Sequence, residues 1–169
     1  VLEQTPDVVR IVTDVLENLI SKLGVDAVVS LTQVHNEDLD GPVFEIEGDD
    51  SGLLIGRRGE TLRALQFLVK FIVSRQLEDR VNLMIDVEGY QERRYNSLAN
   101  LAQRVAQRVA NGGTSIALEP MPPNERRAVH VALADHPTVT TESTGIGQDR
   151  QVVIRVRDEQ PPDTYPPAE

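Results

Sequence analysis

The chain has no cysteine and no tryptophan among its 169 residues. The first absence removes disulfides, thiol chemistry and cysteine-ligated zinc together, and fits a reducing compartment. Aromatic residues make up only 4%, so the core must be built from Leu, Ile, Val and Ala, with Phe44, Phe67 and Phe71 read as core residues. Little aromatic surface then remains for stacking on bases. No apolar run is long enough to span a membrane, which needs about eighteen residues. Positive charge is also in short supply: 17 Lys and Arg face 27 Asp and Glu, a net charge of -10. The chain begins with Val1 rather than Met, which is read as a piece of a longer protein.

What is present is unevenly distributed. Acid gathers at Glu37, Asp38, Asp40, Glu45, Glu47, Asp49 and Asp50, and again at the C-terminus. Base gathers in the middle, with Arg57, Arg58, Arg63, Lys70 and Arg75 against Glu60 alone between Leu53 and Gln76. A second basic stretch holds Arg93, Arg94, Arg104, Arg108, Arg126 and Arg127. A polyanion docks where the local field is positive, so the acidic total does not exclude nucleic acid.

Periodicity predicts two small α+β domains. Thr5-Pro6-Asp7 starts a helix with Val8, Val12, Val15, Leu16, Leu19 and Leu23 on one face, stopped at Gly24. Strands follow at about 27–34 and 42–47, where Phe44 and Ile46 alternate with Glu45 and Glu47. A short helix through Leu53-Leu54-Ile55 leads to a helix at about 60–76, with Leu62, Leu65, Val69, Ile72 and Val73 inward, and then a strand at 81–87. The first domain, 1–88, thus reads helix-strand-strand-helix-helix-strand. The second, 89–158, reads helix-strand-helix-strand-strand. Its first helix, about 91–110, buries Tyr95, Leu98, Ala102, Val105 and Val109. Residues 159–169, rich in Pro and acid, are expected to form a disordered tail.

Gly56-Arg57-Arg58-Gly59 stands between an apolar half-turn and a helix N-terminus. Glycines let the backbone approach a sugar–phosphate chain. The helix N-terminus offers N–H groups to an anion, and the arginines add bidentate donors. The bland alternative is a tight turn with solvated arginines. Leu54-Ile55-Gly56-Arg57-Arg58-Gly59-Glu60-Thr61-Leu62 resembles the signature of a KH domain, and the element order resembles its type II variant. The resemblance covers roughly Asp7 to Glu88. It implies that bases lie in an apolar groove lined by Leu53, Leu54, Ile55, Leu62 and Leu65.

Arg126 and His130, four residues apart, project from one helical face, with Arg127 beside them. On the preceding helix Arg93, Ser97, Asn100, Arg104 and Arg108 share one side, an arrangement that would also suit a merely solvated face. The segment from Leu118 to His130 resembles the R-three-H domain, named for its Arg-x-x-x-His pair, and carries Arg126 and His130 over as its binding pair. A KH domain followed by this module resembles the bacterial Jag family, also called KhpB or SpoIIIJ-associated protein. That family carries a further N-terminal Jag domain, which these residues do not include. The resemblance implies a cytoplasmic protein that binds single-stranded RNA, with single-stranded DNA as an alternative ligand. It also implies association with a small KH-domain protein and with the YidC insertase, and regulation of envelope growth, division or sporulation.

No enzyme activity, cofactor or metal is expected. The acidic cluster around Asp38 to Asp50 is read as a solvated edge that discourages strand pairing, not as a magnesium site. Ser143 and Thr144 have no histidine and acid recognisable from the sequence. His35 and His136 belong to no motif. The Gly59 region lacks the Gly-Lys-Ser/Thr of a nucleotide-hydrolysing loop. The rival classes are a protein-interaction scaffold, which the net acid suits, and a metal-dependent nuclease.

Overall fold

A computed structural model describes residues 5–37 and 39–157. The chain divides into two compact units, Val1–Glu92 and Arg93–Glu169. The expected disordered tail, 159–169, lies outside the described residues.

The first unit runs α1 (Thr5–Leu23), β1 (Val28–Asn36), β2 (Gly41–Glu47), α2 (Gly52–Ile55), α3 (Glu60–Leu77) and β3 (Met84–Val87). Its sheet has the order β1-β2-β3. The first pair is antiparallel, with Leu31 opposite Phe44. The second is parallel, with Phe44 opposite Ile85 and Ile46 opposite Val87. A parallel pair needs a crossover connection, and α2 and α3 supply it. Helices α1 and α3 bury Val12, Leu16 and Ile20 together with Leu62, Leu65, Val69 and Val73 in one cluster with Phe44, Ile46, Leu54, Leu83, Ile85 and Val87. Each fully buried side chain of this size stabilises by roughly 1.5–3 kcal/mol. The edge of β3 is satisfied where the Ile85 N–H donates to Gln66 Oε1 at 3.0 Å.

Three expectations about side chains need correction. Leu23 is 60% exposed and Ile20 takes its place in the core, because the inward face of α1 follows Val12, Leu16 and Ile20 at steps of four. Phe67 and Phe71, expected to be buried, stand 68% and 57% in solvent; only Phe44 is a core ring. On α3 they point away from the Leu62, Leu65, Val69 and Val73 stripe. The acidic edge is also not simply solvated: half-buried Glu45 accepts the Gly89 N–H at 2.8 Å. Burial is the main cause that pushes its carboxyl above the ordinary value of 4.5.

The second unit contains most of α4 (Tyr90–Gly112), then β4 (Ile116–Ala117), α5 (Pro123–Ala132), β5 (Val139–Thr144) and β6 (Gln151–Val156). The division between units falls inside α4, whose first turn is tied to β3: the Gln91 N–H donates to Asp86 Oδ1 at 3.3 Å. The sheet order is β4-β6-β5, antiparallel throughout. Leu98, Ala102, Val105, Ala106 and Val109 of α4 share one core with Val129, Leu133, Val139, Val152 and Ile154. Strands β5 and β6 pair in regular register from Val139 opposite Val156 to Thr144 opposite Gln151. That regularity places Thr141 and Ser143 on one face of the sheet.

Candidate nucleic-acid interface

Helix α2 ends at Gly56, whose backbone is left-handed at φ 67°. A single 3-10 turn, Arg57–Gly59, follows. Arg58 inside it has φ 53° and ψ 35°, a conformation a bulky side chain adopts at some cost. Gly59, at φ 73°, is the N-cap of α3. The Arg63 guanidinium reaches back one turn and donates to the Arg58 carbonyl at 2.9 Å, which holds this strained bend in place.

The glycines are needed for reasons internal to the fold. A Cβ on Gly56 would run into the Thr61 side chain, with Thr61 Cβ at 2.8 Å. A Cβ on Gly59 would meet the Tyr90 ring at 2.7 Å. Gly59→Ala is therefore expected to cost roughly 2 kcal/mol, from left-handed backbone plus overpacking. A denaturant midpoint equal to wild type would show that the ring moves aside freely.

Arg57 is exposed and Arg58 half-buried. Behind them α3 presents its first N–H groups with no side-chain cap from Gly59, the positive end of an 18-residue helix. Of the five residues expected to line a groove, Leu53 is 67% exposed and Ile55 half-buried. Leu54, Leu62 and Leu65 are corrected to the core, at 1, 4 and 5% exposure. They fix the turn from beneath and offer little surface to a base.

The second unit builds its site between α5 and β5. Pro122 and Pro123 start α5, where a missing N–H costs nothing. Arg126 donates to the Met121 carbonyl at 2.9 Å, so its guanidinium folds back over the helix start. His130, one turn on, is held from both ring nitrogens: Nδ1 lies 2.7 Å from Thr141 Oγ1 and Nε2 lies 2.8 Å from Ser143 Oγ. Partial burial, then the Arg126 charge, lowers the imidazole below its ordinary value of 6.5. Glu125 is 3% exposed and pairs with Arg94 of α4 at 2.8 Å, which docks α5 on α4.

Two family models cover these two sites. Residues 13–85 match the KH domain of KhpA/KhpB and residues 96–156 match the R-three-H domain. Relatives include the RNA-binding protein KhpB of Clostridium symbiosum, 39% identical over 131 residues, covering 78% of this chain and 59% of that protein. KhpB of Lactiplantibacillus plantarum is 35% identical over 149 residues, 88% of this chain and 45% of that protein. KhpB of Bacillus subtilis is 37% identical over 113 residues, 66% of this chain and 54% of that protein.

The chain belongs to the KhpB family. It spans about half the length of the KhpB relatives it matches. The observed orders, helix-strand-strand-helix-helix-strand and then helix-strand-helix-strand-strand, are those of an α+β pair of a KH and an R-three-H domain.

Within this KhpB-family chain the structure brings together some of the residues singled out from the sequence and separates others. Gly56, Arg57, Arg58, Gly59 and Ile55 form one continuous bend. Arg126 and His130 lie one turn apart on α5, next to exposed Arg127. Arg93, Arg104 and Arg108 are exposed on the side of α4 opposite its buried stripe. Helix α4 reaches α5 through other residues: Arg94, Tyr95, which accepts from Asn124 at 2.9 Å, and Gln103, which donates to the Ala132 carbonyl at 2.7 Å. The arginine stripe of α4 is therefore a separate surface from the His130 site. Thr141 and Ser143 are additions that sequence reasoning misses. Ser143 does have a histidine partner, contrary to the expectation above. Their spacing of two on a strand is the available signal; the identity of the facing helix is not.

Proposed function

We propose that this chain binds single-stranded RNA without catalysing a reaction on it. The strand's phosphates would meet the Gly56–Gly59 bend, and a second contact would form at Arg126 and His130. The observation that carries the reading is the bend itself. A left-handed arginine between two conformationally required glycines is set against an uncapped helix N-terminus. The relatives named RNA-binding protein KhpB support it. Leu53 and Ile55 are the apolar side chains beside the bend that retain surface for a base. Leu54 and Leu62 act as its buried floor. Arg127, Arg93, Arg104 and Arg108 add positive field at long range. Binding should weaken steeply with salt, as counterion release requires. Single-stranded DNA is the competitor to test.

The R-three-H contact makes a separate pH prediction. His130 is held below 6.5 in the free protein. The unfolded chain then takes up its proton first as pH falls, so stability contributed by neutral His130 is full above pH 6.5 and declines below it. A phosphate beside the ring favours the protonated form instead. RNA should therefore raise the His130 midpoint, and affinity should increase below the ordinary value of 6.5. Imidazole NMR signals followed with and without oligonucleotide check both signs. An unchanged midpoint in the complex would remove His130 from the interface.

The rival of a nuclease lacks parts. Both His130 nitrogens are taken by hydroxyls, and among the described residues no three His, Cys, Asp or Glu groups are placed to hold a metal ion. Cleavage of labelled RNA with magnesium would revive it.

The wider reading extends to a cytoplasmic regulator of envelope growth, division or sporulation. Its expected associates are a small KH-domain protein and the YidC insertase. Support for this comes from family membership. Among the described residues no helix is long and apolar enough to cross a membrane, so association with YidC would be through surface contact. The scaffold alternative predicts that these associations survive loss of RNA binding. Co-purification with and without nuclease separates the two.

A further inference from the structure

Helix α3 has two faces, and the KH core uses only one. On the other, Phe67, Leu68 and Phe71 are 68, 47 and 57% exposed. The two rings lie 6.4 Å apart at 17°, so they form one apolar plate rather than two isolated side chains. Ala64 is exposed one turn before them, and exposed Glu60 and Arg75 stand at the two ends of the same face. These positions, 60, 64, 67, 68, 71 and 75, follow steps of three and four and so make a continuous stripe.

The stripe is self-complementary. A two-fold axis between Phe67 and Leu68, with two α3 helices antiparallel, sets every residue against a suitable one. Phe67 meets Leu68 of the second copy. Phe71, the large side chain, meets the small Ala64. Glu60 meets Arg75. Each contact occurs twice, as an isologous interface requires. A stripe with acid at one end and base at the other does not offer the single-signed field that a polyanion needs. It does offer charge matching to its own inverted copy. We infer that the outer face of α3 is a dimerisation surface for a second copy of this chain.

The apolar plate amounts to on the order of 300 Å² per copy, given the size of phenyl side chains. Doubled, and with its polar ends, it reaches about the 1,000 Å² at which a specific but weak interface begins. The dimer is therefore concentration-dependent. Because α3 rises about 1.5 Å per residue, the two Gly-Arg-Arg-Gly bends end up at opposite ends of the helix pair, roughly 25 Å apart along it. The bends stay clear of the interface, and the dimer presents two of them.

Sedimentation equilibrium of the full chain without RNA, from low to high micromolar concentration, tests this. The mass should move from one chain to two. Phe71→Glu with Phe67→Glu should shift the midpoint at least tenfold toward monomer, while the circular dichroism melt shows the fold retained. Glu60→Arg and Arg75→Glu should each weaken the dimer severalfold, and the double exchange should restore it. A chain that stays monomeric throughout overturns the inference, including the case where the plate serves a different partner. So does a dimer indifferent to the two glutamates, or a double exchange that fails to recover.

Discussion

Replacing Arg57 and Arg58 together by Asp is expected to weaken single-stranded RNA binding at least a hundredfold while leaving the fold intact. Each arginine offers charge-assisted hydrogen bonds worth roughly 1.5–3 kcal/mol, and the reversal puts two like charges against the phosphates. The slope of log affinity against log salt should fall by about 1.4, the share of two phosphates on a single strand. Stability should change little, for two reasons. Arg57 is exposed. The left-handed backbone at Arg58, φ 53°, suits Asp better than most residues, since Asp is enriched in that region. Fluorescence polarisation at several salt concentrations, with a thermal melt alongside, reads both quantities. Unchanged affinity would leave the arginines as surface decoration.

Arg94→Ala should give the largest loss of stability from a single change in the R-three-H unit, about 3 kcal/mol. The Arg94–Glu125 pair joins α4 to α5 with side-chain exposures of 22% and 5%. Removing the arginine leaves a carboxylate in a site nearly closed to water, the costly half of a buried pair. Replacing both partners by apolar residues of similar size, Arg94→Met with Glu125→Leu, should recover most of the loss. Glu125 is next to Arg126 on α5, so the single variant should also loosen the His130 contacts with Thr141 and Ser143. A melt of Arg94→Ala indistinguishable from wild type would show that α5 is docked by apolar packing alone.

The architecture is legible in the sequence because it rests on local signals. The four-residue steps of Val12 and Leu16, the alternation of Phe44 and Ile46 with glutamates, and glycines after α1 and α4 all report on structure within a few residues. The bend is legible for the same reason. Its two glycines and two arginines are contiguous, and their positive φ values follow from what only glycine does easily.

Inference from residue type is what fails. Aromatic character assigns Phe67 and Phe71 to the core, where such side chains usually lie. Yet their positions on α3, half a turn from Leu62, Leu65 and Val69, already point outward. Leu54 and Leu62 err in the opposite sense: apolar residues beside a binding motif are assigned to its surface when they carry its underside. The His130 contacts are beyond reach for another reason. Thr141 and Ser143 are eleven and thirteen residues away, and nothing local says which helix a strand will face.

The most direct test is an amide NMR titration of the isotope-labelled full chain with a short single-stranded RNA. The account predicts that the signals of Ile55 through Leu62 shift first and most, with Gly56 and Gly59 among the largest changes. A complex that forms while those signals stay in place would contradict it.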